Sequence, residues 1–472
     1  MGGRAGKAAL REGRKPRLGD QTTLAPAEVP ALDWASDLGY EVARGNIANI
    51  LKEHGPEPAP ERSRKTTWKE FLRRHWEVMV AADFFTVEVW TRTRLTRSLL
   101  IQWRYTGWGG RLPASPGTAQ QKGEALNETA QFELWYERFN RLAGDLYPGR
   151  YSRDHVRDLA EMGREIMGLA RRKGSLIVAH NYVYPELQEV AEVVGDSLGL
   201  SLFVASRNAP RVDFCGVWFM GQTAKIILGD RSKVYMPDQP GCSLVDLVDH
   251  RRITDWITRH QDGVVISYVN TDARMKAMSH YTCTSANAAQ VLEHAARTHP
   301  GRRILFLPDK YLGAVAQALA RVNPNLVDLY DGACHVHARI GKEVAEKALA
   351  RQPGAELLIH PECACSALIT SNLPPFKDAH FLSSEQMLRY AATSAAKEFV
   401  VATEKGIVYR LRKECPGKTF YPISDNAVCE YMKMNTLEKL RDSLRHDRFE
   451  VEVDQAVRDK AREAVERMLT IH

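Results

Sequence analysis

No cysteine precedes residue 215 in this 472-residue chain. The first 214 residues can therefore form neither a disulfide nor a thiolate metal site. Nowhere do the roughly 18 apolar residues of a membrane span run together, so no transmembrane helix is expected. The start, MGGRAGKAALREGRK, is basic but lacks the apolar run of a secretory signal, and a cytoplasmic protein is expected. No pair of cysteines has the C-x2–4-C spacing typical of structural zinc. A large excess of one charge is also missing. Residues 1–110 hold 18 Lys/Arg against 13 Asp/Glu, and the remainder 47 against 45, so any nucleic-acid contact belongs to the amino-terminal part.

What is present is long enough for about three domains. Residues 1–65 are basic and loop-rich, with one helical segment around YEVARGNIANILKEHG. The stretch TGWGGRLPASPGTAQQKGEALNE has a linker's composition and marks a boundary. From about residue 150 short apolar runs (SLIVAH, VDFCGV, KVYMPD, GVVISYVN, YTCTS, RILFLPD, LVDLYDG, ELLIHPE, AHFLSS, EFVVATE) alternate with helical segments. That alternation predicts an α/β protein with parallel sheets covered by helices on both faces. Polar residues close many of these strands, and ligands of such folds bind at the carboxyl ends. In SLIVAHNYVYPELQEVAEVVGDSLGLS a buried strand runs into His180, Asn181, Tyr182 and Tyr184, with no Gly-rich loop. Pro185 then opens a segment of helical spacing that Gly195 is expected to stop.

Of eight cysteines, Cys215 and Cys283 lie inside apolar runs and read as buried inert thiols. Cys242, Cys334 and Cys429 each follow a strand-like run, in a polar or Gly-containing loop, at intervals of 92 and 95 residues. One thiolate from each of three similar domains would suit an iron–sulfur cluster with one iron left open. A structural zinc site would instead want four close ligands, so spacing alone leaves the cluster reading open.

Nine segments taken in order resemble the quinolinate synthase family: AHNYVYPELQEVAEVVGDSLGLS, VDFCGVWFMGQTAKIIL, GCSLVD, ISYVNTDARMKA, CTSANA, FLPDKYLG, CHVH, HPEC and VCEYMKMNTLEKL. The resemblance runs from about residue 150 to the carboxyl terminus. It implies three αβα domains around a pseudo-threefold axis and a [4Fe–4S] cluster with three cysteine ligands, matching Cys242, Cys334 and Cys429, and one open iron. The expected division is 1–104 extension, 105–149 linker and lead-in, 150–245, 246–335 and 336–428 as the three domains, and 429–472 as cluster loop and helices. The implied reaction, a step of NAD biosynthesis, is a transfer. Iminoaspartate, supplied by an L-aspartate-oxidising enzyme, condenses with dihydroxyacetone phosphate, and phosphate and water leave to give quinolinate. By the resemblance Tyr182 and Glu362 are the proton-transfer pair, His180 and His360 bind or polarise substrate oxygens, and His337 is a further catalytic candidate. Ser197, Tyr268, Asn270, Ser285 and Ser384 match substrate-contacting positions. Ser285 is also expected to open the helix of SANAAQVL, where an anion is favoured.

Some positions depart from the family pattern. Gln222 stands where "FMAETAK" has a carboxylate, Leu382 where a glycine is usual, and Glu385 close to the expected phosphate loop; Cys365 and extra residues follow HPEC. A carboxylate at 385 would repel phosphate unless it points away. Residues 35–95, through KTTWKEFLRRHWEVMVAADFFTVEVWTR, resemble the start of an integrase-type transposase core, in which Asp83 would match the first of three metal-binding carboxylates. The second and third acidic motifs do not follow, and two-metal phosphoryl transfer needs all of them. The segment reads as an inactive remnant, able at most to touch nucleic acid weakly and non-specifically. Two other readings stand beside the first. One is another [4Fe–4S]-dependent hydro-lyase acting on a small polycarboxylate. The other is a mobile-element DNA-binding protein with a passenger carboxyl-terminal part.

Overall fold

The structure, a computed structural model, describes residues 79–90, 95–105, 119–366 and 379–471. The chain divides into two units, 1–115 and 116–472. In the first, β1 (Met79–Trp90) and β2 (Leu95–Tyr105) pair antiparallel, with Asp83 opposite Gln102. Most of the transposase-like stretch, and the extra residues 367–378 after HPECACS, lie outside the described residues.

The second unit carries three four-stranded sheets. β3 (Ser175–His180), β4 (Val193–Gly195), β5 (Arg211–Cys215) and β6 (Lys233–Tyr235) make the first. β7 (Val264–Tyr268), β8 (Tyr281–Cys283), β9 (Ile304–Leu307) and β10 (Val327–Leu329) make the second. β11 (Glu356–Ile359), β12 (Ala379–Phe381), β13 (Glu398–Ala402) and β14 (Thr419–Pro422) make the third. Every pairing in them is parallel, and each sheet has the same spatial order: second, first, third, fourth. The chain thus repeats one α/β, three-layer plan three times. Helices cover the sheets, which is why strands such as VVISY and ILFL are apolar and buried along their whole length.

The helix predicted from Pro185 to Gly195 is shorter than its sequence suggests. It ends at Val190, and β4 follows as a three-residue strand beside β3. The Glu192 N–H bonds the Ile177 carbonyl across this pairing, and β-branched Val193 and Val194 suit a pleated edge. The stretch 105–149 includes the helix Ala119–Ala143. Its Phe132, Trp135 and Phe139 are buried against the helix Arg153–Lys173, whose own buried stripe is Val156, Leu159, Ala160, Gly163, Ile166 and Ala170. Gly163 lets the Trp135 ring approach so closely that an added Cβ would stand 2.6 Å from it. Gly174 ends this helix in the left-handed region (φ 59°), with Arg171, Arg172 and Lys173 on its last, negative turn. The closing helix, Gln455–Thr470, is anchored by Asn287, whose amide donates to the Met468 and Ile471 carbonyls. Among the described residues no helix is long and apolar enough to cross a membrane.

Candidate active site

The three equivalent sheets deliver equivalent positions to one cavity. From the ends of the first strands (β3, β7, β11) come His180 and Tyr182, Tyr268 and Asn270, and His360 and Glu362. From the loops after the second strands (β4, β8, β12) come Ser197, Ser285 and Ser384. Cys242, Cys334 and Cys429 each follow the fourth strand (β6, β10, β14) by at most seven residues. All twelve, with His337, line this single cavity. That is where a parallel sheet places ligands, and here three sheets share the place.

His180 and His360 are held in the same manner. The backbone N–H two residues on, at Tyr182 and at Glu362, donates to each Nδ1, at 3.2 and 3.4 Å. Nδ1 is then the acceptor, so the proton of the neutral ring sits on Nε2. Burial lowers both imidazoles to about 3, so both stay neutral. His360 Nε2 reaches Ser285 Oγ at 3.2 Å.

A chain of polar atoms joins the two proton-transfer candidates. Tyr182 Oη is 2.6 Å from Thr403 Oγ1, which is 2.8 Å from His337 Nε2; His337 Nδ1 is 3.0 Å from Glu362 Oε2. The Tyr268 hydroxyl donates to the other oxygen of Glu362. Burial pushes the Glu362 carboxyl up, but His337, His360 and the Tyr268 hydroxyl outweigh it and hold the group ionised, at about 2. Burial pushes Tyr182 well above the ordinary phenol, and the bond to Thr403 only partly offsets this, so Tyr182 carries its proton. The site therefore pairs a protonated acid with an ionised base, linked through two side chains. Asn270 Oδ1 is buried in the same cavity with no partner, an acceptor left for a ligand.

The serines stand where anions are favoured. Ser197 and Ser384 are the first residues of the ten-residue helices Ser197–Ser206 and Ser384–Thr393. Asp196 links the two starts, accepting from Gly199 N–H at 2.9 Å and from the Ser383 hydroxyl at 3.1 Å. Ser285 differs from expectation, because the helix Ala288–Thr298 begins three residues later, after Asn287. The Asn287 amide oxygen accepts from Thr284 N–H and its hydroxyl, which closes the turn and leaves Ser285 toward His360. Arg410 lies 2.8 Å from both Glu385 Oε2 and Asn181 Oδ1, while the Asn181 amide donates to Ser384 Oγ at 3.0 Å. The charge at 385 is thus neutralised beside the serine. Gln222 accepts the Ala273 N–H at 3.2 Å, a structural use of its amide.

The three cysteine thiols are close enough to perturb one another, and burial pushes each up, Cys242 to about 12 and Cys429 to about 11. The backbone N–H groups of Leu244 and Val245 at Cys242, of His337 at Cys334, and of Tyr431 and Met432 at Cys429 act the other way, favouring the thiolate. Three thiols lining one cavity, with backbone N–H groups that favour their thiolates, fit a thiolate-held cluster, whose binding displaces their protons. Donor atoms of Cys334, His337 and Glu362 also lie within 4.8 Å of one another, where the thiols meet the acid–base chain. Cys215, Cys283, Cys363 and Cys365 are buried in the core.

Thr403, Arg410, Asp309 and Lys433 were not singled out as site residues by sequence. Asp309 accepts the N–H groups of Leu312 (2.8 Å) and Cys334 (3.2 Å), and Lys433 is buried 3.0 Å from Glu404 Oε1. Asp309 and Glu404 do close strands as polar residues, which was the available signal; Thr403 carried none.

Residues 164–470 match the protein family described as Quinolinate synthetase A protein. A quinolinate synthase of Thermus thermophilus is 45% identical over 311 residues, 66% of this chain and 97% of that protein. That of Pyrobaculum aerophilum is 43% identical over 306 residues (64% and 97%), and that of Mycolicibacterium paratuberculosis 41% over 319 (66% and 89%). With three repeated sheets, one shared cavity and this extent of likeness, the chain belongs to the quinolinate synthase family.

Proposed function

We propose that this chain makes quinolinate for NAD biosynthesis by condensing iminoaspartate with dihydroxyacetone phosphate, with loss of phosphate and water. The family is one of iron–sulfur enzymes, and we propose a [4Fe–4S] cluster held by Cys242, Cys334 and Cys429. Bound there, its open iron would supply a Lewis acid for an oxygen or nitrogen of the substrate. The remaining work falls to side chains. Glu362, ionised, takes a proton from carbon or nitrogen; Tyr182, protonated, gives one to a departing oxygen. Thr403 and His337 return the proton between them. His180 and His360 offer Nε2–H to developing negative oxygen, already oriented by their Nδ1 bonds. Ser197, Ser285 and Ser384 bind carboxylate and phosphate, and Tyr268 keeps Glu362 in place. Asn270 accepts from a substrate N–H or O–H.

The observation that carries this reading is the run of polar contacts Tyr182–Thr403–His337–Glu362, two hydrogen bonds of 2.6 and 2.8 Å and an ion-pair contact of 3.0 Å, beside the three thiols. We propose that residues 150–245, 246–335 and 336–428 are the three domains. Residues 1–104 are an extension that chemistry does not need, and the enzyme works in the cytoplasm. The test is anaerobic. Purified protein, analysed for iron and sulfide, is given each substrate alone and both together. Quinolinate should form only from both. Dehydration of one compound alone would instead mark a hydro-lyase.

A further inference from the structure

The residue after each of the three cysteines is polar: Ser243, His335 and Glu430. They follow the last strands of three different sheets, yet they form one hydrogen-bonded line. Ser243 Oγ accepts the His335 backbone N–H at 3.3 Å and lies 2.8 Å from His335 Nδ1. His335 Nε2 lies 2.8 Å from Glu430 Oε2. One proton arrangement satisfies every atom: the serine hydroxyl donates to Nδ1, and Nε2–H donates to the carboxylate. The imidazole stands edge-on to Tyr431, with centroids 5.7 Å apart at 90°. Tyr431 in turn packs on Gly241, the residue before Cys242. The line runs from half-buried Ser243 and His335 out to Glu430, whose side chain is 68% exposed.

We propose that Ser243, His335 and Glu430 form a clasp that ties the three cysteine loops together at the spacing a cluster needs, with His335 as its positioning residue. The inference rests on the cluster reading above. The physical need is clear. Cys242 and Cys429 each precede a single four-residue helical turn, Ser243–Asp246 and Glu430–Lys433, and short loops of this kind open locally at low cost. Every cysteine at these loops is a free thiol, so no disulfide joins them. Were the cluster the only tie between the loops, each opening would expose iron. With the clasp closed, a loop can leave only by breaking a bond to its neighbour, and the thiols are already gathered when iron arrives. Groups that orient metal ligands in this way are worth about 10- to 100-fold in metal retention.

The experiment measures how fast a ferrous-iron chelator strips anaerobic, cluster-loaded protein, followed by the fading of the cluster absorbance. His335→Ala should start with near-normal iron per chain and near-normal turnover per cluster, and should lose iron about 10-fold faster or more. Glu430→Ala should speed the loss about two- to fivefold, the size of an exposed pair. The double variant should match His335→Ala alone, because Glu430 acts through His335. His335→Gln, which can still hydrogen-bond, should recover part of the retention. A wild-type rate of iron loss in His335→Ala overturns the clasp. If that variant does not fold, Glu430→Ala decides by itself, an unchanged rate again overturning it. A wild-type protein with no cluster chromophore would bring down the underlying reading instead, and the two failures cannot be confused.

Discussion

Tyr182 and Glu362 sit at opposite ends of the proposed relay, and a substitution at either end reads out differently from one in the core. Tyr182→Phe removes the hydroxyl on Thr403 and almost no volume. It should fold and load iron normally, and turn over roughly 10²–10⁴ times more slowly in an anaerobic quinolinate assay. Wild-type turnover would make the phenol structural. His180 and His360 give a second, independent readout. Burial lowers them from 6.5 to about 3 in the folded protein. The unfolded chain therefore binds protons that the folded chain refuses between those values. Their contribution to stability is complete above about pH 6.5 and is lost as pH falls toward 3, at a rate approaching about 1.4 kcal/mol per pH unit for each histidine. Urea midpoints of iron-free protein should fall between pH 6.5 and 5, and His360→Gln should flatten that fall. An equally steep fall in the variant would show that the proton uptake lies elsewhere.

The helix Ala119–Ala143 gives no residue to the cavity lining, but it packs on the helix Arg153–Lys173. Trp135 rests on Gly163 and packs against Phe139, their centroids 5.3 Å apart and their rings tilted by 50°. Phe139 continues to Tyr151 at 4.9 Å and Tyr409 at 6.0 Å, so this aromatic seam joins helices from distant parts of the chain. A methyl at Gly163 would meet the indole, and a rigid ring cannot yield as a flexible side chain does. Gly163→Ala should therefore cost about 1–3 kcal/mol by overpacking, although alanine is the better helix former. Chemical denaturation measures it directly. A stabilised variant would mean that the seam has room to shift.

Across the whole molecule, three sheets of the same order bring one cysteine each to a common point. Serine in place of Cys242, Cys334 or Cys429 should remove both the iron chromophore and the activity, because an alkoxide is a poor replacement for a soft thiolate. Serine at Cys215, Cys283 or Cys363 should leave iron content near wild type, since these thiols are buried in the core and do not line the cavity. Iron lost at Cys363→Ser and kept at Cys334→Ser would reverse the assignment. The division of the chain near residue 115 carries a further prediction. Protein beginning at residue 116 should keep its turnover per cluster; a large loss in soluble, loaded protein would make the amino-terminal unit part of the enzyme.

The alternation of apolar runs and helices, and the even spacing of Cys242, Cys334 and Cys429, were legible because both are periodic along the chain. So were His180, Tyr182, His360 and Glu362, which stand within three residues of buried strands whose apolar pattern is plain. β4 was not, because three residues are too few to show any periodicity and helical spacing ran straight over them. Ser285 was displaced from its expected helix start by a turn that Asn287 closes, a choice between two local caps that composition does not decide. Thr403, Arg410 and the Ser243–His335–Glu430 line depend on contacts made across many residues of sequence. Thr403 meets a tyrosine 221 positions away, and His335 a serine 92 away. The sequence by itself determined which side chains stand at strand ends and which thiols recur, because local periodicity and spacing are written along the chain. Only the tertiary structure decided which of them touch and which keep their protons, because proton affinity depends on burial and on neighbours that folding alone brings within hydrogen-bonding distance.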